Sequence, residues 1–181
     1  NVIFEDIAYE KSAPIKYAIT HNYISDLKGD YQKENINTAT SAILEMQEKG
    51  WRVTNQNIKS GLLKPIKNTG LLGRWQILGE KPLIICDTGH NEDAIKAIYK
   101  QIRQVPFKNL HIVFGTVDDK DLYEILCLLP KDAIYYFCQA KIARAIDAIE
   151  LKKKANQHKL KGSSFSSVEE AIKEAKKKAE N

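Results

Sequence analysis

The stretch PLIICDTGHNEDAI, Pro82 to Ile95, places Asp87, His90 and Asn91 where an apolar run gives way to helix-like sequence. In open α/β sheets, ligands gather at the carboxyl ends of the strands. An aspartate there accepts hydrogen bonds from sugar hydroxyls or helps organise a cation. A histidine contacts a carboxylate or a phosphate. Thr88 and Gly89 let the chain turn, and a helix N-terminus favours an anion through its free N–H groups and dipole. The same positions also suit a plain helix start, with Asp87 and Asn91 as caps and His90 as a surface residue.

A second strand end, VFGTVDDKDL, carries Gly115 and Thr116, then Asp118, Asp119, Lys120 and Asp121. Capping explains one aspartate and does not require three. Lys120 is placed to meet an anionic ligand at the sheet edge that holds His90; a solvated charged turn is the competing reading. Arg74, in GLLGRWQIL, sits in a connector, and an arginine there can swing onto a phosphate. Trp75 beside it reads as packing.

Regular elements must hold these residues. Strand-like runs at Leu83–Asp87, Leu110–Val117, Ala133–Gln139 and Leu160–Ser164 alternate with helix-like runs at Asn91–Val105, Lys120–Leu129, Ala143–Asn156 and Val168–Ala179. Nearly continuous apolar strands alternating with helices predict a Rossmann-like, doubly wound, mostly parallel sheet in an α/β fold. The first 73 residues differ. Tyr17, Ile19, His21 and Tyr23 alternate as a strand does. The run NINTATSAILEMQEKG reads as a helix capped by Asn35, Asn37 or Thr38 and stopped by Gly50. WRV reads as a short strand, Thr54 as the cap of a short helix through Leu62, and KPIKNTG as a connector. One strand and two helices seldom make a core. The expectation is a chain that starts mid-domain and is cut short after its last helix.

Composition narrows the function. Hydrophobic content of 43% and charged content of 28% suit a globular protein, and no apolar run approaches a membrane span. The opening NVIFEDIAYE carries acids and lacks a signal peptide's basic start and apolar core. Cys86, Cys127 and Cys138 are scattered, as buried thiols of a cytoplasmic protein are, and do not space as a disulfide frame or zinc site. From Leu151 onward nine lysines face four glutamates, which accounts for the whole net charge of +5. These lysines lie on helix-like runs without interleaved aromatics or arginines, so they read as solvated helix faces and not as a nucleic-acid patch.

In this order and at these separations, GRWQIL, PLIICDTGHNEDA and VFGTVDDKDL resemble the C-terminal domain of the folylpolyglutamate and dihydrofolate synthases, within the Mur ligase superfamily. Upstream, GDYQKENINTATSAI is similar to the end of that family's central domain, where Gln and Asn open a helix, and Arg144–Ala145 fits its downstream Arg-Ala. The resemblance implies residues 1–73 as the C-terminal portion of a central ATP-binding domain plus linker, and 74–181 as a truncated glutamate-ligase domain.

It further implies a cytoplasmic, monomeric ligase acting on small molecules: ATP, L-glutamate, and dihydropteroate or folate. ATP phosphorylates a carboxylate, and the amine of L-glutamate attacks the acyl phosphate. Asn35, Arg74 and Asp87 would contact ATP, with Arg74 at the phosphates and Asp87 on the ribose or adenine side. His90 would act near the incoming glutamate or transferring phosphate, and Lys120 would hold a glutamate carboxylate. Two departures stand out. Thr88-Gly89 replaces Gly-Ala, and Glu92 replaces a proline. No G-x-x-x-x-G-K-[ST] loop is present, so the phosphate loop and Mg²⁺ ligands are expected in a preceding region, and the chain alone is expected to be inactive. The competing readings are a peptidoglycan amino-acid ligase of the same superfamily and a stand-alone α/β binding module. A receiver-like module would need an acidic pair on its first strand, which PLIIC does not offer, and a dinucleotide oxidoreductase would need a G-x-G-x-x-G after a strand, which this sequence lacks.

Overall fold

A computed structural model describes residues 2–117 and 122–179. The chain divides into two compact units, Asn1–Leu72 and Gly73–Asn181.

Among its described residues the first unit is helical: α1 (Val2–Glu10), α2 (Gln32–Glu48), α3 (Asn55–Leu63) and α4 (Pro65–Thr69). Thr54 caps α3 as its sequence indicates. Its hydroxyl accepts from the Asn57 amide at 3.1 Å, and Asn57 Oδ1 accepts from the Thr54 amide at 2.9 Å, which completes a capping box. Gly50, at φ +89, follows the C-cap of α2. The connector KPIKNTG contains α4, with proline at its start and Gly70 left-handed at its end.

Three expectations for this unit are corrected. Tyr17 to Tyr23 is extended but is no strand, because no β partner flanks it among the described residues. Its backbone is held by α2 side chains: Ser41 Oγ accepts from the Ile19 amide at 3.2 Å, and Asn37 Oδ1 accepts from the His21 amide at 2.8 Å. WRV forms no strand either. The helix begins at Gln32, so Asn35, Asn37 and Thr38 lie inside it, and Tyr31 at the N-cap makes no side-chain cap bond.

The second unit opens with an antiparallel hairpin, β1 (Gln76–Glu80) and β2 (Leu83–Cys86), with a register shift between Ile77 and Gly79. There follow α5 (Glu92–Ile102), β3 (His111–Phe114), α6 (Leu122–Leu128), β4 (Ile134–Cys138), α7 (Ala148–Gln157), β5 (Gly162–Phe165) and α8 (Val168–Ala179). Strands β3, β4 and β5 form a parallel sheet in sequence order, so the expected α/β class stands. The departure is β2, which pairs antiparallel with β1 and does not join the parallel ladder.

Strand β4 organises the core because its side chains alternate between two covered faces. Tyr135 and Phe137 pack with Ile95 of α5, Leu122, Ile125 and Leu126 of α6, and Leu151 and Ala155 of α7. Tyr136 and Cys138 pack on the opposite face against Ala171 and Ala175 of α8. These four residues of β4 are at most 2% exposed, while Ile134 at its start is exposed. Strands added in one direction by right-handed crossovers put both connecting helices on the same face. The chain covers the second face by returning α8 over all three strands. Burial pushes the Tyr135 phenol and the Cys138 thiol upward in pKa. The Tyr135 hydroxyl, buried among apolar groups, donates to the Pro130 carbonyl at 2.6 Å.

Candidate functional site

The hairpin brings together residues twelve and fourteen positions apart. Arg74 and Trp75 precede β1, and Asp87 and Thr88 follow β2, so the antiparallel register sets the two pairs side by side. The Arg74 guanidinium donates to the Thr88 hydroxyl. Thr88 in turn ties back to Gly73, its amide donating to the Gly73 carbonyl at 2.9 Å and its hydroxyl to the same oxygen at 3.1 Å. Asp87 spans the turn with both oxygens: Oδ2 accepts from the Trp75 amide at 2.8 Å and Oδ1 from the Gly89 amide at 2.9 Å.

Two backbone positions show why this needs a particular sequence. Gly73 is left-handed at φ +69, and a Cβ there would collide with the Thr88 side chain. Trp75 is left-handed as well, at φ +49, which costs a non-glycine residue about 1–3 kcal/mol unless its surroundings hold it. Here the indole is buried and the amide is clamped by Asp87. A strained backbone held beside an arginine is the kind of local cost that functional sites carry. Gly89 serves packing instead of turning: its φ is ordinary, and a Cβ would meet Ile98 Cδ1 at 2.5 Å.

His90 is exposed beside this cluster, its Nδ1 3.2 Å from the Thr88 carbonyl. A proton on Nδ1 donated to that carbonyl leaves Nε2 as the acceptor. Asn91 is the α5 cap, its Oδ1 accepting from the Ala94 amide at 2.9 Å. Glu92 and Asp93 follow in the first turn, and Glu92 meets Lys96 at 2.5 Å. With a cap and two carboxylates in place, the start of α5 is a poor anion seat.

Of the residues singled out by sequence, Arg74, Asp87 and His90 therefore lie in one cluster. Asn35 lies in the first turns of α2, exposed, its Nδ2 donating to Gln32 Oε1 at 3.0 Å. Lys120, with Asp118, Asp119 and Asp121, lies outside the described residues. Thr116 accepts from the Ile146 amide at 3.1 Å, and Val117 bridges Ala145, so the loop bearing the exposed Arg144 folds back over the carboxyl end of β3. Sequence reading missed Thr88 as the partner of Arg74, because it missed β1. The signal was present: two apolar runs, QIL and LIIC, flank Gly-Glu-Lys-Pro as a hairpin does.

Comparison with known proteins shows the family. The family model described as Mur ligase, glutamate ligase domain, matches residues 73–181. This chain belongs to that family. A probable bifunctional folylpolyglutamate synthase/dihydropteroate synthase of Haloferax volcanii is 30% identical over 121 residues, covering 67% of this chain and 14% of the relative. The dihydrofolate synthase/folylpolyglutamate synthase of Escherichia coli K12 is 28% identical over 183 residues, covering 92% of this chain and 41% of the relative.

Among solved structures, E. coli FolC in complex with DHPP and ADP superposes with a TM-score of 0.75 at 23% identity, over 98% of this chain and 45% of that one. A bifunctional folylpolyglutamate synthase/dihydrofolate synthase with Mn, AMPPNP and L-glutamate bound gives 0.73 at 22% identity, over 97% and 44%. The chain thus spans less than half the length of these relatives. The resemblance read from GRWQIL, DTGHNEDA and the downstream motifs is borne out.

Proposed function

We propose that this chain supplies part of an ATP-dependent ligase that joins L-glutamate to dihydropteroate, to folate polyglutamates, or to both. The observation that carries the reading is the hairpin-end cluster of Arg74, Thr88 and Asp87, inside the stretch that matches the glutamate ligase family. The relatives' names and the nucleotide, glutamate and manganese bound in related structures support it.

In this reading Asn35, Arg74 and Asp87 contact ATP, with Arg74 at the phosphates and Asp87 on the ribose or adenine side. His90 stands by the incoming glutamate or the transferring phosphate, and Lys120 takes a glutamate carboxylate. A guanidinium suits phosphate because it offers paired donors that never deprotonate. The acyl phosphate made from ATP then yields the amide when the glutamate amine displaces phosphate. Residues 1–73 correspond to the end of the central ATP-binding domain plus linker, and 74–181 to the glutamate-ligase domain. Among the described residues no three His, Cys, Asp or Glu side chains gather to hold a metal ion, so no step is assigned to a metal bound by them. The reading places Mg²⁺ with ATP, held by residues other than these. It also takes the protein as a cytoplasmic monomer without nucleic-acid or membrane partners; among the described residues no helix is long and apolar enough to cross a membrane.

The test is ADP release by the native polypeptide that carries this chain, with L-glutamate and either dihydropteroate or a folate as acceptor. Release should require both glutamate and acceptor, and the 181-residue chain alone should show none. Arg74→Ala should lower kcat/KM for ATP by about 10–100-fold, with no rescue in Arg74→Lys. A preference for muramyl-peptide acceptors, or ligation by the isolated chain, would contradict the proposal.

A further inference from the structure

The backbone around Arg74 is held firmly. Its neighbours on both sides are left-handed, Gly73 at φ +69 and Trp75 at φ +49. Gly73 is pinned through both of its backbone groups: its amide donates to Gln76 Oε1 at 3.0 Å, and its carbonyl accepts from the Thr88 amide at 2.9 Å. The Arg74 side chain is only half-buried, and a long side chain of that kind has much rotamer freedom to lose. Its tip is fixed through one group. Nη1 donates to the Thr88 hydroxyl and lies 3.4 Å from the Gly73 carbonyl.

Thr88 uses both of its branches to do this. A β-branched side chain has few rotamers to choose from. The methyl lies against Gly73, where an added Cβ would strike Thr88 Cγ2. The hydroxyl has one hydrogen and two lone pairs. The hydrogen goes to the Gly73 carbonyl at 3.1 Å, so toward the guanidinium the oxygen can only accept. A hydrogen bond with a charged donor is stronger than one between neutral groups. Thr88 stands where the pattern it resembles has glycine, which offers neither a hydroxyl nor a methyl. Bonding through Nη1 leaves Nε and Nη2 to pair with two oxygens of one anion.

We infer that Thr88 is a positioning residue: its hydroxyl fixes the Arg74 guanidinium by Nη1, so that Nε and Nη2 are presented together to a phosphate. This rests on the ligase reading, in which Arg74 meets ATP, and it adds a side chain that acts only through Arg74.

The test is a double-mutant cycle on kcat/KM for ATP, measured as ADP release by the native polypeptide. Thr88→Val keeps the branched shape but loses the hydroxyl, and should lower kcat/KM about tenfold. Thr88→Ser keeps the hydroxyl and loses the methyl, and should restore kcat/KM to within about twofold of the wild type. In an Arg74→Ala background, Thr88→Val should cost nothing further. If valine destabilises the hairpin, Thr88→Ala set against Thr88→Ser isolates the hydroxyl in the same way. An unchanged kcat/KM in the hydroxyl-less variant, with Arg74→Ala impaired, would overturn the inference and leave the ligase reading intact. So would an equal loss with and without the hydroxyl, or the same loss with and without Arg74, since either assigns the side chain to the fold. Full activity in Arg74→Ala would overturn both the inference and the role given to Arg74.

Discussion

The two units solve the burial problem differently. In the second, one strand supplies four consecutive buried side chains, Tyr135 to Cys138, and helices cover both of its faces. In the first, the buried hydrophobic residues are Ile36 and Ile58, while Val2, Ile3, Phe4 and Trp51 stand at least 63% exposed. Its order comes from local devices: the Thr54–Asn57 capping box, the Ser41 and Asn37 bonds to an extended segment, and the ion pair of Lys16 with Glu45. Exposed ion pairs of that kind contribute little. A core made by one central strand specifies a fold within its own sequence, whereas capped helices without a common core do so weakly.

The chain has two tryptophans, Trp51 exposed in the first unit and Trp75 buried in the second, so fluorescence can follow each unit after the other tryptophan is replaced by Phe. The largest expected effect is Phe137→Ala, which should cost the second unit about 3–5 kcal/mol in a urea titration read at Trp75. A Trp51 transition that shifts by the same amount would break the contrast, because the units would then unfold together.

Next comes Asp87→Ala. Removing one carboxylate that accepts from two buried-side amides should cost the hairpin about 2–3 kcal/mol and speed hydrogen exchange at Trp75 and Gly89, while the β3–β5 amides keep their protection. Uniform deprotection across the unit would mean that the hairpin and the sheet form one cooperative block.

In the first unit, the Thr40 hydroxyl is buried without a partner, so Thr40→Val should stabilise that unit by about 1 kcal/mol. A loss of stability would show that the hydroxyl is satisfied in solution, and would sharpen the picture of that unit as better bonded than packed.

The smallest effect concerns pH. Burial first, and then the charge of Lys178, hold His111 below its ordinary pKa of 6.5. Its Nδ1 lies 2.9 Å from the Tyr136 hydroxyl. A depressed pKa means the fold favours the neutral ring. The contribution is therefore present above pH 6.5 and is lost as pH falls through the lower folded value. His111→Gln should flatten the stability of the second unit across that acid window, and an unchanged acid slope would argue that other groups set it.

How much of this was legible depended on whether the signal was local. Strand β4 and helix α8 stand where the apolar run and the helical period put them, because both are buried against partners from the same unit. Helix α7 starts at Ala148 and not Ala143. The intervening residues fold back to Val117, and Asp147 caps the helix by accepting from Ile149 and Glu150, a tertiary demand that propensity does not reveal. The segment from Tyr17 to Tyr23 alternates as a strand does, yet alternation needs a partner strand to become a ladder. At the site, Arg74, Asp87 and His90 were identifiable by chemical type. Their proximity was not, since it depends on β1, whose Gly79 and Glu80 weaken the strand pattern.

The central claim is that the hairpin end binds nucleotide. The most direct measurement is hydrogen exchange at the Trp75 and Gly89 amides of the native polypeptide, with and without saturating ADP. A ligand held by Arg74 and Asp87 should slow both amides severalfold while leaving the β4 amides unchanged. Identical exchange at both amides in the presence of bound ADP would contradict the claim.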